Sequence, residues 1–316
     1  MSKTHRLAGA AATSSNEGES RHPEKTHEQR SKARKSIREG AIMKFWKMNG
    51  AGNDFIIINN IEEHIPIDKL GKLAKTLCTR RMSIGADGLM VVDKADGDAD
   101  YKMRFYNADG SMGEMCGNGA RCICRYGYEN GLAGEVQTIE TTAGIVKGER
   151  ISERMYKVRL NDPGIVQLDC PIEVDGKTYD CSYVELGNPG IPHAVVPMKN
   201  IRETDQNELW ELGRKMRYHK AFPKGANINF YEILGDNLVY ERTYERGVED
   251  FTYACGTGTG SMVTVLRMKG LSDGKDVHVQ MTGGELIINS TEKDLYLTGP
   301  TNIVAKGEIT DEDLSL

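Results

Sequence analysis

Two short stretches carry residues that could do chemistry. Tyr253-Ala254-Cys255-Gly256-Thr257-Gly258-Thr259-Gly260-Ser261 sets one cysteine at the mouth of a glycine–threonine run. Met115-Cys116-Gly117-Asn118-Gly119-Ala120-Arg121 repeats the Cys-Gly-x-Gly pattern in the first half of the chain. Glycines let the backbone turn sharply with its N–H groups outward, and the segments that follow (122–129 and 262–268) predict helices whose positive ends add to the turn. A thiol there has its thiolate stabilised, so its pKa is expected to fall towards neutrality. An anion such as a carboxylate would dock on the same N–H groups. One copy alone is as readily a plain turn over a buried cysteine. Two copies, each preceded by a β-type segment (103–107 and 239–245), favour a shared functional cleft.

Two thiols facing each other across a cleft suit stereoinversion: one removes a proton from carbon while the other returns one on the opposite face. The α-hydrogen of an amino acid is a very weak acid. Charge developing on the substrate carboxylate must therefore meet preorganised donors, each contributing about 2.7–4 kcal/mol in comparable sites. Exclusion of water on closure strengthens every such contact.

The elements that must position these loops alternate between short strands and a few helices. Strands are predicted at 44–48, 55–59, 89–93, 101–106, 135–141, 144–149 and 156–160, with a helix over 67–79 whose Leu70, Leu73, Ala74 and Leu77 share a face. Asn161-Asp162-Pro163-Gly164 is a breaker cluster and the expected lobe boundary. Beyond it the pattern repeats, with a helix near 207–217 and strands at 179–185, 193–196, 227–232, 237–245, 277–281, 285–289 and 295–297. The expected class is α+β: two pseudo-symmetric lobes, each of mostly antiparallel strands with a central helix, and the site between them. The expected divisions are a disordered extension over 1–42, a first lobe over 43–161 and a second over 162–299, with 300–316 returning to the first. For the extension, a mis-called reading frame ahead of a true start at Met43 and a presequence are both open. Glu17, Glu19, Glu24 and Glu28 count against the second.

The totals narrow the classes. Charged residues make up 28% of 316 and the net charge is −5, so nothing argues for nucleic-acid affinity. No apolar run approaches the ~20 residues of a membrane span. Seven cysteines with no secretory signal point to reduced thiols and a cytoplasmic protein. Gly50-Ala51-Gly52 fails as a dinucleotide fingerprint, because no strand–turn–helix order follows it.

Met48-Asn49-Gly50-Ala51-Gly52-Asn53-Asp54-Phe55, Phe105-Tyr106-Asn107-Ala108-Asp109-Gly110-Ser111, Cys116 to Arg121, Glu245-Arg246-Gly247 and Ala254 to Gly258 together resemble the diaminopimelate epimerases, in order from Met43 to about Ile309. The resemblance implies a two-lobed fold and interconversion of LL- and meso-diaminopimelate on the route to lysine and peptidoglycan. It implies no cofactor and no metal, a small amino-acid substrate, and a homodimer in many members. Cys116 and Cys255 would be the acid–base pair, with His193 and Glu245 tuning the thiols and helping to anchor an ammonium group. Gly117, Asn118, Gly256 and Thr257 would bind the reacting carboxylate through N–H groups. Asn53, Asn107, Asn188, Asn227, Glu245 and Arg246 would hold the substrate's other polar groups, Arg246 as a planar carboxylate clamp.

Two departures stand out. The family's Gly-Asn-Pro-His appears as Gly187-Asn188-Pro189-Gly190-Ile191-Pro192-His193, and a substrate-contacting side chain after the Asp87 position is replaced by Gly88. Rival readings are a related racemase of another amino acid, a zinc module on Cys116, Cys122 and Cys124, and a Cys116–Cys255 disulfide that would switch the enzyme off. Cys122 and Cys124 diverge on a helix, and no Cys-x-x-Cys is present, which counts against zinc.

Overall fold

The computed structural model describes residues 43–113, 115–310 and 314; the extension expected over 1–42 lies outside them. The chain forms β1 (Met43–Gly50), β2 (Asn53–Asn59), α1 (Asn60–Glu63), α2 (Ile67–Cys78), β3 (Gly88–Asp93), β4 (Tyr101–Asn107), β5 (Met112–Gly113), α3 (Gly117–Glu129), β6 (Val136–Thr141), β7 (Gly144–Arg150) and β8 (Met155–Arg159). It continues through β9 (Pro163–Gln167), the small hairpin β10 (Ile172–Val174) and β11 (Lys177–Tyr179), β12 (Ser182–Leu186), β13 (Ile191–Pro197), α4 (Gln206–Arg217), β14 (Asn227–Gly235) and β15 (Leu238–Glu245). The last elements are β16 (Asp250–Phe251), α5 (Gly256–Met268), β17 (Val277–Met281), β18 (Gly284–Ser290), β19 (Leu295–Pro300) and β20 (Asn302–Ile309).

Strand pairing shows the repeat directly. In the first lobe β1–β2 is antiparallel, β2–β3 parallel across α2, β3–β4 and β4–β5 antiparallel, β4–β6 parallel across α3, and β6–β7–β8 antiparallel. The second lobe takes the same steps: β12–β13, then β13–β14 parallel across α4, then β14–β15–β16. After these come β15–β17, parallel across α5, and β17–β18–β19. The lobes share a seam where β8 pairs with β19, Val158 opposite Leu297. β20 covers β1, as β9 covers β12. The α+β, two-lobed reading of the sequence describes this architecture.

Alternation on the strands decides which helix each residue meets. On β2, Phe55 and Ile57 face the cluster around α3 and α5, while Ile56 and Ile58 face Leu70, Leu73 and Leu77 of α2. Burial on both faces explains the unbroken apolar run Phe55-Ile56-Ile57-Ile58. In the second lobe α4 packs Leu209 and Met216 against Ile228 and Phe230. The inner helices are covered all round: Cys122, Ile123 and Cys124 of α3, and Met262, Val263, Val265 and Leu266 of α5, are buried in one cluster with Leu160 and Leu297 at the seam.

Both inner helices start earlier than the sequence periodicity predicts. The Gly-x-Gly segments form the first helical turn, not a loop before it. None of Gly117, Gly119, Gly256 and Gly258 has a positive φ. They are glycine because neighbours come too close: a Cβ on Gly119 would lie 1.8 Å from Met90 Cε, and one on Gly258 would lie 2.1 Å from Asn229 Oδ1.

Candidate active site

Cys116 and Cys255 occupy the same structural position, the extended N-cap of an inner helix (φ −128°, ψ 116° and φ −118°, ψ 101°). Each carbonyl accepts the first helical hydrogen bond, from Ala120 N at 2.7 Å and Thr259 N at 2.9 Å. The unpaired N–H groups of the first turn therefore surround each thiol. The two helix starts abut: a Cβ built on Gly256 would lie 3.9 Å from Gly117 Cα. Gly117, Asn118, Gly256 and Thr257 thus bring two helix N-termini to one place, which suits a carboxylate.

The thiols do not follow the expected fall in pKa. Burial pushes Cys116 above its ordinary value, opposed by the N–H groups of Gly119 and Asn118 and by Arg121. Burial and the neighbouring Glu245 push Cys255 higher still, against a hydrogen bond with Thr257. In a closed apolar seam desolvation outweighs the helix dipole. Cys255 is buried and Cys116 half-buried.

Glu245 ends β15, accepts from Thr252 Oγ1 at 2.6 Å and hydrogen-bonds Cys255; burial raises its carboxyl. His193 lies in β13 opposite Asn227, fully buried, and burial pulls its pKa down to about 3. It is therefore a neutral imidazole at working pH, with no charge to lend a thiolate. Asn229 approaches its Nδ1 at 3.3 Å, and Nε2 has no partner among the described residues. Asn229 also accepts from Thr243 Oγ1 at 3.1 Å and lies against Gly258, linking His193 to the Cys255 turn.

Asn53 accepts from Asn118 Nδ2 at 2.6 Å and donates to Asp87 at 3.2 Å. The Asn118 side chain is engaged by Asn53, Ala254 and Arg121, and its backbone N–H faces the Cys116 thiol. Asn227 Oδ1 accepts the backbone N–H of Arg246 at 2.7 Å, placing the arginine turn beside β14. Arg246 is exposed and donates to Lys224 O at 3.1 Å. Asn107 is exposed at the end of β4, bonded to Ser111 at 3.0 Å and opposite Gly88. A side chain at Gly88 would strike Phe105 Cε2 at 2.4 Å and Tyr106 O at 2.7 Å, so this chain has no room for one.

The inserted residues sit in the β12–β13 turn. Leu186 pairs with Ile191 and Val184 with His193, which leaves Gly187 to Gly190 as the connection. His193 is thereby held in the strand, while Asn188 is exposed in the turn and makes no side-chain hydrogen bond among the described residues. Cys122 and Cys124 are fully buried in the core, beside Gly50 and Gly148.

Sequence reasoning missed three buried groups: Asn229, Glu241 and Arg121. Glu241 accepts from Thr259 Oγ1 at 2.6 Å, and burial raises its carboxyl to about 8. The alternation Asn227-x-Asn229 and Glu241-x-x-x-Glu245 on adjacent strands was the available signal, since residues two or four apart share a face.

Residues 45–162 and 186–304 match the family model described as diaminopimelate epimerase. The chain is 37% identical over 284 residues to the diaminopimelate epimerase of Aquifex aeolicus, covering 86% of this chain and 99% of that protein. With the diaminopimelate epimerase of Carboxydothermus hydrogenoformans it shares 38% over 280 residues, covering 84% and 99%. Among solved structures it resembles a PhzF-family phenazine biosynthesis protein of Enterococcus faecalis (TM-score 0.64, 12% identity, 85% of this chain and 99% of that one). It also resembles a hydroxyproline epimerase of Agrobacterium vitis (TM-score 0.61, 17% identity, 85% and 91%). At those identities the structures establish the shared fold alone.

Proposed function

Since the chain belongs to the diaminopimelate epimerase family of isomerases, we propose that it interconverts LL- and meso-diaminopimelate, in lysine and peptidoglycan precursor synthesis, by proton transfer between two cysteines without a cofactor. The observation that carries this reading is the pair of cysteines at the N-caps of two symmetry-related, abutting helices. A substrate α-carbon between them would lose its hydrogen to the thiolate of one lobe and gain a proton from the thiol of the other. The reacting carboxylate would sit on the N–H groups of Gly117, Asn118, Gly256 and Thr257, where developing charge meets both helix ends. Arg246, Asn227, Asn107 and Asn53 would hold the distal amino-acid end. Glu245 would hold Cys255 in place and, when ionised, attract an ammonium group.

The test is proton NMR of LL-diaminopimelate in D2O with reduced protein and no added cofactor. Deuterium entering the α-position as meso product forms supports the reading. A folded, reduced protein that exchanges no deuterium discards this substrate, and exchange into another amino acid would make the chain a related racemase.

A further inference from the structure

The two halves of the site are alike except in charge. Both helices open Cys-Gly-x-Gly, but two residues further on the first has Arg121 and the second Gly260. Packing enforces the difference. A Cβ on Gly260 would meet Leu160 and Leu295 at 2.9 and 3.0 Å, so the second helix has no space there. Beneath the first helix a slot is cleared by one glycine from each lobe: a Cβ on Gly50 of β1 would lie 3.3 Å from Arg121 Nη2, and one on Gly299 of β19 would lie 3.1 Å from Arg121 Nε.

Arg121 is fully buried in this slot. Its Nη1 donates to Asn118 Oδ1 at 2.9 Å and Gly117 O at 3.4 Å, while Nε and Nη2 have no partner among the described residues. Burial pulls its pKa down to about 10, which still leaves it charged at neutral pH. Among the described residues, the ionisable groups facing it are the thiols of Cys122, Cys116 and Cys124, with no carboxylate. A buried, unpaired cation is strongly unfavourable unless a counter-charge forms nearby. Burial pushes Cys122 and Cys124 up to about 12 even beside Arg121. That leaves Cys116, half-buried and served by two backbone N–H groups, as the thiol able to take the charge.

The second helix has the opposite surroundings. Glu245 and Glu241 of β15 both face Cys255, while Cys116 is faced by Glu245 and Arg121. Glu245 faces both cysteines, so the difference between them is a cation on one side and an acid on the other. We propose that Arg121 is a positioning residue that breaks the symmetry of the site, holding the resting thiolate on Cys116 and leaving the proton on Cys255. This rests on the two-thiol reading above and deepens it. A site with one proton on two equivalent thiols would rest in either state, whereas this one, free of substrate, rests with its thiolate in the first lobe.

The test is iodoacetamide labelling of the substrate-free protein from neutral to alkaline pH, with each cysteine followed by peptide mass spectrometry. Accessibility sets the plateau rate, and thiolate formation sets the midpoint. The Cys116 midpoint is expected at least about one unit below that of Cys255, a tenfold difference in thiolate fraction at neutral pH. Arg121→Gln should raise the Cys116 midpoint and so narrow its distance from that of Cys255, and Arg121→Lys should hold it near the wild-type value. A wild-type Cys255 midpoint at or below that of Cys116 overturns the proposal. So does a folded Arg121→Gln protein with an unmoved Cys116 midpoint, or a folded Arg121→Lys protein whose midpoint rises to that of Cys255. None of these readouts requires turnover of diaminopimelate, so their failure and failure of the epimerase reading are separate results.

Discussion

Asn118 of the first lobe donates its side-chain amide, at 3.3 Å, to the carbonyl of Ala254, the residue before the second lobe's cysteine. The same amide donates to Asn53 at 2.6 Å, and its oxygen accepts from Arg121 at 2.9 Å. One buried side chain thus ties together both cysteine turns. Asn118→Ala should cost about 1–3 kcal/mol of stability, because Arg121 loses its main acceptor in a dry site. Turnover should fall more than substrate affinity, since the backbone donors remain. Urea unfolding and a separation of kcat from KM would check this. Unchanged stability would mean that the network holds nothing.

Removing either thiol should stop the reaction while leaving the fold intact. Cys116→Ala and Cys255→Ala each lose a group that must hold or give a proton, an effect of about 10²–10⁴-fold. Neither change opens a large cavity. Deuterium incorporation assayed beside circular dichroism separates lost chemistry from lost structure, and full activity in either variant would reject the two-thiol mechanism.

His193 and Glu241 should shape stability at opposite ends of the pH scale. His193 falls from 6.5 to about 3 on folding, so its contribution is complete above about pH 6.5 and is lost as pH drops through about 3. Glu241 rises from 4.5 to about 8, so its contribution is complete below about pH 4.5 and is lost as pH climbs through about 8. Glu241→Gln should therefore be more stable than wild type above pH 8, with a flatter slope between those limits. Urea midpoints across pH would show it, and parallel curves would contradict it.

Gly119→Ala and Gly258→Ala should differ, although both add one methyl group to a first helical turn. The new methyl at 119 meets the mobile end of Met90, which can swing aside, whereas at 258 it meets the hydrogen-bonded Asn229 amide and lies 3.3 Å from Cys255 Sγ. Activity should survive the first change far better than the second. Comparable losses in a kinetic assay would show that the glycines matter only for backbone conformation.

By itself the sequence determined the repeat and the two cysteines that recur in it. These were legible because Cys-Gly-x-Gly occurs twice, and because period-two and helical spacing mark which residues face inward. It also placed His193 and Glu245 near the site through the family resemblance. Only the tertiary structure decided the electrical state of these groups. Desolvation depends on everything packed around an atom, and that reversed the expected fall in the thiol pKa values and left His193 neutral. Asn188 and the inserted turn could not be aligned by spacing alone; strand register put His193 opposite Asn227 and left Asn188 exposed. Arg121 closed the first cysteine stretch with no role of its own, because charge in a sequence says nothing about burial. Its role comes from two glycines far apart in the chain that meet only at the seam between the lobes.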